Sequence, residues 1–175
     1  MNTKSDHLLE GIKVIDAASF IAGPSAATIM SDYGAEVIKI EPQSGDSLRN
    51  LIINGRMPIG PEDYCWELTS RNKKSISLNL KDLKAQNILL DLVKEADVFI
   101  TNMPFPIRKK LKITAKDIMP HNERIIYASL TGYGEVGPDA DRTAYDSMAW
   151  WARSGLMDFV RPSNNSPVAW STPGM

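Results

Sequence analysis

The stretch that decides the fold is Gly11-Ile-Lys-Val-Ile-Asp-Ala-Ala-Ser-Phe-Ile-Ala-Gly-Pro-Ser-Ala-Ala27. Its first half carries three β-branched residues, which strands favour, and so predicts a buried strand. Gly23 can adopt backbone angles closed to other residues, and Pro24 suits the first turn of a helix. A strand that turns sharply into a helix leaves helix N–H groups pointing outward, where an anion can bind. Because ligands of open α/β sheets bind at the carboxyl ends of strands, we expect the chemistry near residues 20–24.

Further along the chain, apolar segments typical of strands alternate with segments of helical periodicity. The predicted strands cover residues 35–41, 74–80, 97–101 and 124–130, and the predicted helices cover residues 25–33, 82–96, 107–111, 114–119 and 144–157. Residues 42–63 are rich in turn-forming types and predict an exposed excursion, and residues 161–175 predict a loop. Strands that alternate with helices are typical of an α/β fold with a parallel sheet and crossover helices.

The composition is that of an ordinary soluble domain: 43% of the 175 residues are hydrophobic and 23% are charged. A net charge of -1 gives no reason to expect nucleic acid or an acidic membrane as a partner. Cys65 is the single cysteine, which excludes an intrachain disulfide and suits a reducing compartment. We expect a cytoplasmic protein, since no signal-peptide core or membrane-length apolar run is present. The chain ends on Ser-Thr-Pro-Gly-Met175 with no closing element, so we expect part of a longer protein.

A dinucleotide site is the first function that the opening strand and turn suggest. Glu41 ends the second predicted strand, where a ribose-binding acid would lie, but the glycine fingerprint of such sites is absent. We therefore favour a solvated strand end for Glu41. A metal site has no support, because His7 and His121 are far apart and better suited to surface or capping roles. A Ser-His-Asp triad lacks its Gly-x-Ser-x-Gly turn.

Basic and aromatic clusters leave alternatives open. The basic clusters consist of Arg71, Lys73 and Lys74, and of Arg108, Lys109, Lys110 and Lys112. Each cluster is either solvated charge or a holder of the phosphates of a nucleotide-bearing ligand. Trp150 and Trp151 could line an acyl pocket, but we favour core packing, since large aromatic side chains bury well in any fold.

An ordered set of motifs gives the chain its resemblance to a known family. The motifs begin at Gly11 (Gly-Ile-Lys-Val-Ile-Asp), Ala22 (Ala-Gly-Pro), Gly34 (Gly-Ala-Glu-Val-Ile-Lys-Ile-Glu), Gly45 (Gly-Asp, with Arg49), Asn72 (Asn-Lys-Lys-Ser-Ile-Ser-Leu-Asn-Leu), Ala96 (Ala-Asp-Val), Ser129 (Ser-Leu-Thr-Gly-Tyr-Gly) and Ala144 (Ala-Tyr-Asp). The chain resembles the class III CoA-transferases, which include formyl-CoA, carnitine and 2-hydroxyacyl CoA-transferases. It is most similar to the branch that acts on 2-hydroxy or aryl-propanoid acids.

This resemblance implies a Rossmann-like open parallel sheet with flanking helices, in a large domain that has lost its glycine fingerprint. Residues 1–175 would form the N-terminal part of that CoA-binding domain, with a smaller domain elsewhere in an interlocked homodimer. Coenzyme A and acyl-CoA would be substrates, with a small organic acid as partner, and neither a tightly bound cofactor nor a metal is expected.

The resemblance also implies a map of CoA contacts. Ile21 and Ala22 would lie beside the thiol arm, and Gln43 near the adenine, where relatives often have a basic residue. The remaining contacts are Leu78, Asn79, Leu80 and Lys81 flanking the adenine, Asn102, Met103 and Pro104 along the pantetheine path, Lys110 at a phosphate, and Arg142, Thr143, Ala144, Tyr145 and Asp146 closing the site. Arg142 would substitute for a lysine that some relatives carry at position 143.

Enzymes of this family use an aspartate nucleophile that forms an aspartyl-CoA thioester. No aspartate of this chain matches it: Asp141 and Asp146 match other positions, and Asp158 is interpreted as a helix-end or loop charge. The nucleophile is expected just after Met175, so the 175 residues by themselves would not turn over substrate.

Two alternatives accompany the transferase hypothesis. The related α-methylacyl-CoA racemases carry a histidine just before the aspartate where this chain has Tyr145-Asp146, and a tyrosine with a pKa of about 10 is a poor base. The other alternative is a CoA-binding fragment without activity. In the transferase, Gly23→Val is expected to weaken CoA binding about tenfold or more while the fold survives, unless Gly23 serves mainly to pack the helix on the sheet.

Overall fold

The computed structural model describes residues 7–51, 60–161 and 163 of the chain. These residues fall into two compact units that divide after Leu130. The first unit contains the whole parallel sheet, and the second contains two short helical segments. Each unit is described by itself.

The first unit is an open five-stranded sheet in which every neighbouring pair of strands is parallel. The strands are β1 (Lys13–Asp16), β2 (Glu36–Glu41), β3 (Lys74–Ser77), β4 (Val98–Thr101) and β5 (Ile126–Ser129), in the spatial order β3-β2-β1-β4-β5. This confirms the predicted α/β fold with a parallel sheet and flanking helices.

Helices connect the strands, and short polar side chains mark where several of them begin. The helices of the first unit are α1 (Ala22–Asp32), α2 (Tyr64–Ser70), α3 (Leu83–Glu95), α4 (Phe105–Leu111) and α5 (Ala115–Ile118), with 3-10 turns at Ser47–Asn50 and Met119–His121. The carboxylates of Asp63 and Asp82 accept N–H groups of α2 and α3, and Thr114 with Asp117 forms a capping box for α5. None of the described helices is long and apolar enough to cross a membrane.

The core lies in two layers, one on each face of the sheet. Ile15 and Phe99 pack with Leu89 of α3 on one face. Val14 and Ile100 pack on the other, where α1 contributes Ala27. Neighbouring residues of one strand join opposite layers because successive side chains point to opposite faces of a sheet.

The structure corrects several predictions for the first unit. The strand predicted over residues 74–80 ends at Ser77. The Leu78 N–H donates a last hydrogen bond to the Glu41 carbonyl oxygen of β2 at 2.8 Å, and Leu80 is buried beyond the strand. Helix α1 begins at Ala22 rather than at residue 25, since its first turn accommodates Pro24. The predicted exposed excursion contains Asp46, which is 3% exposed, and residues 52–59 of it lie outside the described residues.

The second unit corrects the helix predicted over residues 144–157. A π-helical segment, Ser147–Ala152, and a separate helix α6 (Leu156–Phe159) replace it, because Gly155 between them has a φ of 82°. Trp151 is 3% exposed, as core packing predicts, but that interpretation is wrong for Trp150, which is 49% exposed. Most of the loop predicted over residues 161–175 lies outside the described residues.

Candidate active site at the carboxyl edge of the sheet

The strand order reverses at β1, so the carboxyl ends of β1 and β4 meet at the topological switch point of the sheet, where open α/β sheets form their ligand crevice. The chain moves from β1 through β2 to β3 on one side, and β4 then pairs with the other side of β1. Ligands of open α/β sheets bind at such a switch point. Residues 17–21, which we call the β1–α1 turn, follow β1 there, and Asn102 follows β4.

The Asn102 amide binds the β1–α1 turn from the β4 side. The Ser19 N–H donates to Asn102 Oδ1 at 2.8 Å, and Asn102 Nδ2 donates to the Ser19 carbonyl oxygen at 2.7 Å. One side chain thus satisfies both backbone groups of Ser19 and couples the ends of β1 and β4.

Asp46 binds the same turn from the β2 side. Its Oδ1 accepts the Phe20 N–H at 3.2 Å, the Ser19 hydroxyl at 3.4 Å and the Leu48 N–H at 2.9 Å. Phe20 has a φ of 68°, a left-handed conformation that is uncommon for a bulky residue. The carboxylate therefore lies where it supports a strained backbone.

Two buried lysines neutralise the carboxylates beneath the turn. Lys39 Nζ lies 3.0 Å from Asp46 Oδ2 and 3.7 Å from Asp16 Oδ2, and it donates to the Ala18 carbonyl oxygen at 3.0 Å. Lys73 Nζ lies 2.9 Å from Asp16 Oδ2. All four charged side chains are at most 3% exposed, and the two cations balance the two anions, as buried charges require.

Lys73 is neither a solvated charge nor free to hold a phosphate, so both interpretations of the first basic cluster are wrong for this residue. Its Nζ donates to the carbonyl oxygens of Pro24 and Thr69, both at 2.7 Å, and so ties the first turn of α1 to the end of α2. Burial lowers the pKa of Lys73 despite the nearby Asp16 carboxylate. Arg71 and Lys74 are solvated and form exposed ion pairs with Asp32 and Glu36.

Glu41 is a buried ion-pair partner, so the prediction of a solvated strand end is wrong. It is 4% exposed, and its two oxygens accept Arg49 Nε and Nη2, both at 2.7 Å, the Ser75 hydroxyl at 2.5 Å and the Asp46 N–H at 3.1 Å. Burial raises the pKa of Glu41, but the hydrogen bonds from Arg49, Ser75 and the Asp46 amide outweigh it and lower the pKa to about 2. With both oxygens occupied, Glu41 is unsuited to binding a ribose.

Gly23 lets α1 pack directly on the β1–α1 turn. A Cβ at this position would lie 2.3 Å from the Ala18 Cβ, 3.6 Å from Ile100 Cγ2 and 3.7 Å from Asn102 Cγ. The structure thus supports the packing account of Gly23. Ile21, the N-cap of α1, makes no side-chain capping bond, and Ile21 and Ala22 are exposed at the crevice.

Several predicted CoA contacts share this edge of the sheet, because the carboxyl ends of parallel strands lie together. Gln43 is exposed after β2. After β3, Leu78 and Leu80 are buried core residues, whereas Asn79 and Lys81 are exposed. The contacts after β4 are Asn102, Met103 and Pro104, all half-buried.

Arg108 and Lys110 of the second basic cluster occupy opposite environments. Arg108 is fully buried, and its guanidinium donates to the Met103 carbonyl oxygen and Ser129 Oγ, both at 2.5 Å, and to the Leu130 carbonyl oxygen at 3.1 Å. It therefore joins the ends of β4 and β5 and is neither solvated nor free to hold a phosphate. Lys110 is exposed in the last turn of α4.

The remaining predicted contacts belong to the second unit. Arg142 pairs with Asp139, with 2.9 Å between Nε and Oδ1. Ala144 packs so closely on Gly132 that a Cβ on that glycine would lie 1.9 Å from the Ala144 Cβ. Thr143, Tyr145 and Asp146 are exposed. In the same unit, Asp158 forms an ion pair with Arg161.

Sequence reasoning missed the Asp16, Lys39 and Asp46 cluster. The available signal was Lys39 itself, a charged residue inside the apolar strand Val-Ile-Lys-Ile of a sheet covered on both faces. His7 and His121 are exposed, as predicted. Within the described part of the chain, no group of three or more potential metal ligands occurs.

Comparisons with known proteins place this geometry among CoA-transferases. The family model described as CoA-transferase family III matches residues 9–175. The chain is 39% identical to (R)-2-hydroxy-4-methylpentanoate CoA-transferase from Clostridioides difficile, covering 92% of this chain and 41% of the relative. It is 38% identical to cinnamoyl-CoA:phenyllactate CoA-transferase from Clostridium sporogenes (86% and 37%) and 40% identical to succinyl-CoA:glutarate CoA-transferase from Homo sapiens (91% and 36%).

Solved structures agree with the sequence relatives. A CAIB/BAIF family protein from Brucella suis superposes with a TM-score of 0.80 at 30% identity, over 94% of this chain and 44% of that one. An orthorhombic form of a Mycobacterium tuberculosis protein gives a TM-score of 0.82 at 30% identity, over 93% and 44%. The chain spans about two fifths of the length of the curated relatives it matches.

Proposed function

Because this chain belongs to CoA-transferase family III, we propose that the complete protein transfers CoA from an acyl-CoA to a small carboxylic acid. The observation that carries the proposal is the family match over residues 9–175. The β1–α1 turn supports it, since the turn lies at the switch point of the sheet, where ligands of such folds bind.

The proposed acceptor is a 2-hydroxy or aryl-propanoid acid. Two relatives, at 39% and 38% identity, are named for transfer involving 2-hydroxy-4-methylpentanoate and phenyllactate. A third, at 40% identity, is named for glutarate, so the acceptors to compare are these three acids.

In the proposed complex, CoA runs along the carboxyl edge of the sheet. The thiol arm passes Ile21 and Ala22, where the first N–H groups of α1 lack intrahelical acceptors. The other proposed contacts are Gln43, residues 78–81, residues 102–104, Lys110 and residues 142–146. The exposure of Asn79, Lys81 and Lys110 supports their part, whereas Leu78 and Leu80 would act through the backbone.

The proposed mechanism is covalent. An aspartate that follows Met175 attacks the acyl-CoA thioester, giving a mixed anhydride and CoA thiolate. The thiolate then attacks the aspartyl carbonyl of the anhydride, forming aspartyl-CoA and releasing the donor acid. The acceptor carboxylate repeats both steps in reverse, so one difficult exchange becomes several easier ones. Backbone N–H groups would stabilise the oxyanions.

The test uses the complete protein, incubated with an acyl-CoA and each of the three acids. Mass spectrometry should detect the acyl-CoA of the acceptor, and incubation with the donor alone should add the mass of CoA less one water to one aspartyl peptide. Absence of exchange with every acid would overturn the proposed function, and exchange without a protein-bound CoA adduct would overturn the mechanism. The proposal includes a cytoplasmic location and an interlocked homodimer. Light scattering tests whether the complete protein is a dimer in solution.

A further inference from the structure

We propose that Asp46 is a positioning residue of this site, which holds Phe20 in its left-handed conformation and so sets the path of the β1–α1 turn beside the CoA thiol arm. The inference rests on the proposed function, because the turn matters for CoA only if CoA binds at this edge. Asp46 itself is 3% exposed and acts through the backbone that it binds.

Phe20 has an unfavourable backbone conformation. Its φ of 68° is unfavourable for a residue with a Cβ and a bulky ring. Such a conformation persists where the surrounding structure determines it, and it occurs often at ligand sites. The Phe20 N–H donates to Asp46 Oδ1, so the carboxylate acts directly on the strained residue.

Side chains from three other places in the chain hold successive backbone groups of the turn. Lys39 binds the Ala18 carbonyl oxygen, Asn102 binds both backbone groups of Ser19, and Asp46 binds the Phe20 N–H. This arrangement fixes the direction in which the chain enters α1, and therefore where Ile21 lies in the crevice.

Asp46 is itself anchored independently of the turn. Its Oδ2 lies 3.0 Å from Lys39 Nζ, its Oδ1 accepts the Leu48 N–H, and its own N–H donates to Glu41. An asparagine at this position has the same shape but one acceptor oxygen. It cannot accept from the two N–H groups and also face the lysine with an oxygen. Because the buried Lys39 charge needs an acceptor, we expect the oxygen to stay on the lysine, so the NH2 group faces the Phe20 N–H and Asp46→Asn releases the turn.

The experiment compares two ligands in the complete protein: CoA, and adenosine 3′,5′-bisphosphate, which is the nucleotide half of CoA without the pantetheine arm. We expect Asp46→Asn to weaken CoA binding about tenfold and to leave binding of the bisphosphate within about twofold. The matched control is Asp97→Asn, since the Asp97 carboxylate accepts the Lys13 N–H at the opposite edge of the sheet. This control should leave both affinities unchanged.

A pair of substitutions at Phe20 tests the conformation while Asp46 stays in place. Asparagine tolerates the left-handed region, whereas β-branched valine does not. Both remove the ring, so Phe20→Val should weaken CoA binding more than Phe20→Asn does. If Asp46→Asn does not fold, this comparison still tests whether the left-handed conformation at position 20, on which the proposal depends, sets the CoA affinity.

The outcomes separate the two proposals. A wild-type protein that binds neither CoA nor the bisphosphate overturns the proposed function and this inference with it. If the wild-type protein binds CoA, two results for Asp46→Asn overturn this inference alone. One is an equal loss of affinity for CoA and for the bisphosphate, and the other is no loss of affinity for either. Equal CoA affinity in Phe20→Val and Phe20→Asn also overturns it.

Discussion

Arg49 binds the buried carboxylate of Glu41 through two hydrogen bonds, from Nε to Oε2 and from Nη2 to Oε1, each 2.7 Å long. The guanidinium also lies over the Trp66 ring, 3.5 Å from its centroid. Because the Asp46 N–H donates to the same carboxylate, this pair supports the loop that carries Asp46 to the β1–α1 turn.

The first prediction concerns the pH dependence of this pair. The pKa of Glu41 is lowered from 4.5 to about 2, so its stabilising contribution is complete above pH 4.5 and is lost as the pH falls through 2. At pH 7, Glu41→Gln should cost about 2 kcal/mol, or about 5 °C in melting temperature. That difference should shrink in thermal scans below pH 4.5. Glu36→Gln, at an exposed pair with Lys74, is the control and should change little. A difference independent of pH would contradict the assignment.

The second prediction concerns Gly23 and Ala18. Gly23→Ala should lower the melting temperature by about 5 °C, since overpacking costs about 1–3 kcal/mol. Ala18→Gly removes the Cβ that the new side chain would meet at 2.3 Å, so the double variant should regain most of the loss. Additive losses in the double variant would show that the two positions do not compete for this space. The tenfold effect of Gly23→Val on CoA affinity stays a separate prediction.

The third prediction concerns Arg108. Lysine cannot reproduce the planar fork that reaches Met103, Ser129 and Leu130, so Arg108→Lys should cost about 2–3 kcal/mol. Thermal unfolding measures the loss. Arg71→Lys is the matched control, because Arg71 is exposed and its ion pair with Asp32 contributes little. Equal stability of the two variants would contradict a structural role for Arg108.

The fourth prediction concerns Lys110 in the proposed complex. Lys110→Gln should weaken binding of adenosine 3′,5′-bisphosphate about threefold at low salt and less at high salt. Lys94→Gln changes another exposed lysine, on α3, and should leave the affinity unchanged. Isothermal titration at two salt concentrations gives both comparisons, and identical affinities for the two variants would exclude Lys110 from the phosphate site.

The five strands could be predicted from the sequence, because each is a short apolar or alternating segment that is recognisable locally. The end of β3 could not be predicted in this way, because Leu78 and Leu80 continue the apolar alternation and are buried, although the strand ends at Ser77 and the Leu78 N–H makes its last bond to β2. The apolar periodicity indicates which side chains are buried, whereas a strand extends only as far as its ladder of hydrogen bonds to a neighbouring strand.

The buried charges could not be predicted from local patterns. Lys73 and Asp16 are 57 residues apart in sequence, and only the folding of β1 beside β2 and α1 brings them together. The same holds for Arg108, which stands in a run of basic residues and differs from Lys109 and Lys110 by its place on the inner face of α4. From sequence alone, a charged residue predicts an exposed position, because charged side chains are rarely buried without a partner and the partner cannot be identified from the local pattern.

The central place of β1 has a consequence for how the chain is made. β1 pairs with β4 through contacts such as Val14 with Val98, across about 84 residues of intervening chain. At about 5–20 residues per second, the ribosome needs about 4–17 s to supply that partner. During this interval one edge of β1 is open to pairing with another nascent chain. Substitutions that delay the docking of β4 should therefore reduce the soluble yield before they lower the melting temperature.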